Sequence, residues 1–162
     1  MDEILTLQIL RKSTPSLPAM GYGDRGRLFK GTDPTPIWEA DELVSSCCNP
    51  YDPRTKDPWD AVYTCICCGC YKGKVINDAR PDGHGWCIVL NDYGPVPTIL
   101  PSRNAEHYGK FIATEVLVHK GYSPTWRGSA ACITIHPDVY EALFALLSID
   151  TELQVALIHG DT

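Results

Sequence analysis

The chain reads as a mostly-β domain, barrel- or sandwich-like, with one helix in its C-terminal region. Three observations predict this. Apolar residues alternate with polar ones in short stretches, as Leu5, Leu7 and Ile9 do against Thr6 and Gln8, which is the period of a half-buried strand. The 13 Gly and 13 Pro among 162 residues supply the frequent turns that short strands need. Helical spacing of apolar residues is clearest after Pro137, at Val139, Leu143, Leu146 and Leu147.

Taken in order, residues 4–12 (ILTLQILRK) give a first strand, and Ser13 to Gly26, with its Gly and Pro, a loop. Arg27 to Gly31 and Pro36 to Ala40 form a hairpin around Thr32-Asp33-Pro34-Thr35. Asn49 to Asp60 carries three Pro and three Asp and reads as an exposed excursion. Ala61 to Ile66, Tyr71 to Asn77, Trp86 to Leu90 and Val96 to Leu100 are β-like, with turns at Ala79 to Gly85 and at Asn91 to Gly94. Phe111 to His119 is a strand that ends on its histidine, and Cys132 to Ile135 is another. Pro137 and Asp138 suit the first turn of a helix, where a missing N–H costs nothing and a carboxylate meets the positive dipole end. His136 reads as a neighbour of the helix N-cap. Thr151 to Ile158 alternates again and reads as a last strand, with helix as the competing assignment, and the single domain spans residues 1–162.

The net charge of −6 argues against a nucleic-acid surface, which needs a basic patch for phosphates. No run of 18 apolar residues exists, so no membrane insertion by a helix is expected. The N-terminus Met1-Asp2-Glu3 is acidic and lacks a secretory pattern, so the protein is expected to be made in the cytoplasm. No glycine-rich phosphate loop, dinucleotide fingerprint or Gly-x-Ser-x-Gly elbow is present, and no cofactor is expected.

Of 8 Cys, Cys47, Cys48, Cys65, Cys67, Cys68 and Cys70 cluster. Their spacing is irregular for a zinc site, with overlapping CxxC matches on what reads as one strand. Small core residues, disulfides and a zinc-stabilised interaction domain remain open for them. His84, His107 and His159 carry no motif and are assigned structural roles.

The stretch from Val118 to Ile135 organises the rest. His119 and Cys132 stand on either side of a loop rich in Gly, Ser, Pro and Arg. Two antiparallel strand ends joined by that loop would bring them together. A thiol is a strong nucleophile only as the thiolate, and an adjacent imidazole can take its proton. The pair reads as nucleophile and base.

The pattern His119-x-Gly121, a loop, then Ser129-Ala130-Ala131-Cys132-Ile133 resembles the catalytic signature of the L,D-transpeptidase (YkuD-like) family, and most closely its short, signal-less phage-type relatives. Leu5 to Ser13 and Gly69-Cys70-Tyr71 match further segments of those relatives. The resemblance implies an L,D-transpeptidase-like fold and acyl transfer or hydrolysis on peptidoglycan stem peptides. Cys132 would form a thioester, and His119 would act as base and later as acid. Backbone N–H groups around Ala131 and Cys132 would bind the oxyanion, with Ser129 before them. Arg127 would hold a substrate carboxylate, and Gly121, Tyr122 and Trp126 would line the groove. Lys120 stands where the family often has the residue that orients the histidine, so a backbone carbonyl is expected to do this instead. Ala130-Ala131 replace the usual His-Gly, which removes an oxyanion partner and costs about 1 kcal/mol if that position needs φ > 0. The implied setting is phage lysis or an interbacterial (type VI) effector acting at the cell wall, with an immunity protein or delivery machinery as partners. The competing reading is a catalytically weakened relative that serves as a binding module.

Overall fold

In the first strand every second side chain points the same way, and Leu7, Ile9 and Arg11 are buried while their neighbours are half-exposed. In the computed structural model, which describes residues 4–12, 22–46, 65–79, 83–99, 109–121 and 132–160, this alternation repeats around a closed barrel. Its strands are β1 (Leu5–Arg11), β2 (Asp24–Lys30), β3 (Trp38–Ser45), β4 (Gly69–Asp78), β5 (Gly85–Leu90), β8 (Leu117–Lys120), β9 (Ile133–Ile135) and β10 (Glu152–His159). Their order around the barrel is β1-β10-β4-β5-β8-β9-β3-β2. A short ribbon of β6 (Val96–Pro97) and β7 (Ile112–Ala113) stands apart from it. Among the described residues the fold is mostly β with one helix, α1 (Pro137–Phe144).

Two neighbouring pairs run parallel, β1 with β10 and β8 with β9. The other six junctions are antiparallel. The antiparallel meeting expected for the strands of His119 and Cys132 is therefore corrected. The connection 121–132 is long enough, at about a dozen residues, for the crossover that a parallel pair requires.

The interior is filled by Leu7, Ile9, Leu28, Val44, Val75, Ile88, Leu90, Val118, Ile133, Ile135, Leu153, Val155 and Leu157, with Trp38 and Tyr71. Each fully buried aliphatic side chain contributes about 1.5–3 kcal/mol by leaving water. Gly73 belongs to this lining, because a Cβ there would meet Ile88 and Val155 at 2.9 and 3.0 Å. Tyr140, Leu143, Phe144 and Leu147 extend the core from α1. The helix starts on His136, whose Nδ1 accepts from the Asp138 N–H at 3.0 Å.

One barrel end is closed by polar groups. Arg11 donates through Nε to Ser46 Oγ (2.9 Å), and through Nη2 to the carbonyls of Ser46 (2.9 Å) and Ile66 (2.7 Å). Asp24 accepts from Ser46 N–H (2.7 Å), Ser46 Oγ (2.6 Å) and Lys12 N–H (2.8 Å). Buried charges persist only when satisfied in this way.

Several expected elements shift, and β3 runs on past Ala40 to Ser45. β2 begins at Asp24, inside the predicted loop. Phe111 to His119 is two short strands, because Glu115 at φ 58° breaks the extended run. Asn91 to Tyr93 is a left-handed turn, with φ of 52°, 52° and 68°. Ile66 makes only an isolated bridge to Thr98, and β4 starts at Gly69, so Cys65, Cys67 and Cys68 do not lie on one regular strand.

Candidate functional site

β8 and β9 pair Val118 with Ile133 and His119 with Thr134. Val118 and Ile133 face the barrel interior. By strand alternation, Leu117, His119, Cys132 and Thr134 all lie on the outer face. Cys132 packs there against Cys87, Val89 and Leu117, and its sulfur accepts from the Leu117 N–H at 3.3 Å. His119 stands two residues beyond Leu117, on the neighbouring strand and the same face.

The tautomer of His119 follows from its partner. Nδ1 lies 2.8 Å from the Lys120 carbonyl oxygen, which can only accept, so Nδ1 carries the hydrogen and Nε2 keeps its lone pair. The ring is 2 % exposed. Burial, then the nearby charge of His84, pushes its pKa down to about 4, against a smaller opposing effect of the Lys120 carbonyl. His119 is thus a neutral imidazole at pH 7. Burial also pushes the Cys132 thiol up to about 11, with the Leu117 N–H pulling the other way. A resting thiolate is therefore scarce at pH 7.

Cys132 opens on a surface pocket of about 860 Å³. Ile76, Asp78, His84, Tyr93, Glu115 and Leu117 line it with Cys132. His84 stacks on His119, with ring centroids 4.1 Å apart and planes inclined by 25°. The backbone N–H of His84 donates to Asp78 Oδ2 at 3.3 Å. Tyr93 and Glu115, the rim of the pocket, are both left-handed and joined by the Glu115 N–H to Tyr93 carbonyl bond at 3.1 Å. Non-glycine residues held in that region commonly mark functional loops.

His84, assigned a structural role on sequence grounds, is therefore corrected to a residue of this pocket. Tyr93, Glu115 and the Leu117 N–H also escaped the sequence reading. Only the left-handed turn at Asn91 to Gly94 had a signal, in its Asn-Asp pair. Gly121, expected to line the groove, is buried against Tyr22, where a Cβ would stand 1.7 Å from the hydroxyl oxygen. Its role in this structure is close packing, and that correction has a steric cause. Tyr122, Trp126, Arg127, Ser129 and Ala131 lie outside the described residues, as do Cys47 and Cys48.

Among the described residues no three His, Cys, Asp or Glu side chains converge as a metal site, and no helix is long and apolar enough to cross a membrane. Fold and site together define an eight-stranded closed barrel with a thiol and an imidazole on one outer face. No protein-family model matches the chain, and comparisons with curated proteins and with solved structures find no match.

Proposed function

We propose that the protein carries out cysteine-dependent acyl transfer or hydrolysis on peptidoglycan stem peptides, in the manner of the L,D-transpeptidases that its His119 to Cys132 stretch resembles. The observation that carries this reading is the shared outer face of His119 and Cys132, with Nε2 of His119 free of hydrogen. Cys132 attacks a peptide carbonyl while His119 takes its proton, and the thioester then passes to water or to an amine. The site acts at the cell wall, in a lytic or interbacterial setting that would bring an immunity protein or delivery machinery as partner.

A second reading has its own support. The thiol pushed up to about 11, with Ala130-Ala131 before it, favours a weakened relative that binds stem peptides without turning them over.

The two are separated by incubating the protein with tetrapeptide and pentapeptide stems and following the products by mass spectrometry. Turnover that disappears in Cys132→Ala and His119→Ala supports the enzyme. Saturable binding without products supports the binding module.

A further inference from the structure

We propose that His84 is a second catalytic imidazole of the Cys132 pocket, brought in from the β4–β5 connection to protonate the leaving group, while His119 deprotonates the thiol. The inference rests on the acyl-transfer reading and deepens it. Three observations carry it. His84 lines the pocket that Cys132 opens on. Its ring stacks on that of the buried His119, with centroids 4.1 Å apart. Its backbone is held by Asp78 Oδ2 at 3.3 Å, at the end of β4 where Asp78 pairs with Gly85 of β5. The titratable groups lining the same pocket are Asp78 on β4, Tyr93 on the left-handed turn, Glu115 before β8 and Cys132 just before β9, and His119 on β8 stacks on His84.

This arrangement divides acid from base. Two imidazoles in contact do not readily both carry charge. One ring then serves as base and its stacked neighbour as acid. In acylation the Cys132 sulfur forms the bond to the carbonyl carbon and its proton passes to Nε2 of His119. The carbon–nitrogen bond breaks, and a protonated His84 gives its proton to the departing amine. In deacylation His84 takes a proton from the incoming water or amine, and His119 returns its proton to the sulfur. Both imidazoles and the thiol end as they began.

The test compares leaving groups. Wild-type protein, His84→Ala and His84→Gln are each given two acyl donors with the same acyl part, one an amide and one an activated aryl ester whose phenolate leaves without a proton. General-acid assistance contributes about 10²–10⁴-fold where the leaving group needs it. The expected result is a loss of about 100-fold or more on the amide in both variants, with ester acylation within about threefold of wild type. Partial recovery of amide turnover by added imidazole is expected in His84→Ala. Equal losses on both donors, or none on either, overturn the assignment and leave His84 a packing residue. If wild-type protein forms no Cys132 thioester even with the ester, the acyl-transfer reading falls and this inference with it.

Discussion

His119 holds Nδ1 2.8 Å from the carbonyl oxygen of Lys120, the next residue on the same strand. This short-range contact fixes the tautomer, with Nε2 as the basic nitrogen. Burial keeps that ring neutral at pH 7.

The neutral state of His119 sets an acid limit on stability. Its folded pKa of about 4 lies below the ordinary value of 6.5. Below 6.5 the unfolded chain takes up a proton that the native ring refuses. This stability is complete above 6.5 and declines as pH falls towards 4. From pH 7 to pH 4 the expected loss is about 3 kcal/mol, since one pKa unit corresponds to about 1.4 kcal/mol. Urea melts across that range should show it. His119→Gln should flatten the dependence, and an equal slope in that variant would assign the effect to other groups.

Cys132 should report its protonation through alkylation. With the thiol pushed up to about 11, reaction with iodoacetamide should rise about tenfold per pH unit between pH 8 and 10, because only the thiolate reacts. Site-resolved mass spectrometry distinguishes Cys132 from the other cysteines. A rate already level at pH 7 would mean a standing thiolate–imidazolium pair instead.

Thr134 lies opposite His119, and its hydroxyl is buried with no hydrogen-bond partner among the described residues. A buried unsatisfied hydroxyl costs about 1–3 kcal/mol. Thr134→Val keeps the shape and removes the polar atom, so denaturant melts should show it neutral or stabilising by about 1 kcal/mol. A loss above about 2 kcal/mol would reveal a partner for the hydroxyl.

Gly121 and Tyr22 should behave as one unit. Gly121→Ala drives a Cβ into the Tyr22 hydroxyl and should cost about 1–3 kcal/mol, as overpacking does. In a Tyr22→Ala background the same change should cost much less, a non-additivity expected of residues in contact. Additive losses would place the strain of Gly121→Ala elsewhere.

Local patterns in the sequence were a sound guide to the barrel strands. Leu7 and Ile9 alternate because one face of β1 is inside, and His136-Pro137-Asp138 carries its own helix start. The pairing of β8 with β9 was not legible, since parallel or antiparallel is decided by closure of the whole barrel and not by either segment. The break at Glu115 was hidden because its left-handed backbone occurs at a residue with no propensity for it. His84 was hidden for a related reason. A lone histidine in a turn has no motif, and only the pairing of β4 with β5 carries it to His119. His119 and Cys132 stood out because their residue types and order suggest a thiol–imidazole pair.

The most direct test of the thiol–imidazole pair is intact-mass spectrometry of the protein after brief exposure to an activated acyl donor at pH 7.5. The expected result is a single acyl adduct on Cys132, absent in Cys132→Ala and formed at least about 100-fold more slowly in His119→Ala. No adduct on Cys132, or one that forms equally fast without His119, would contradict it.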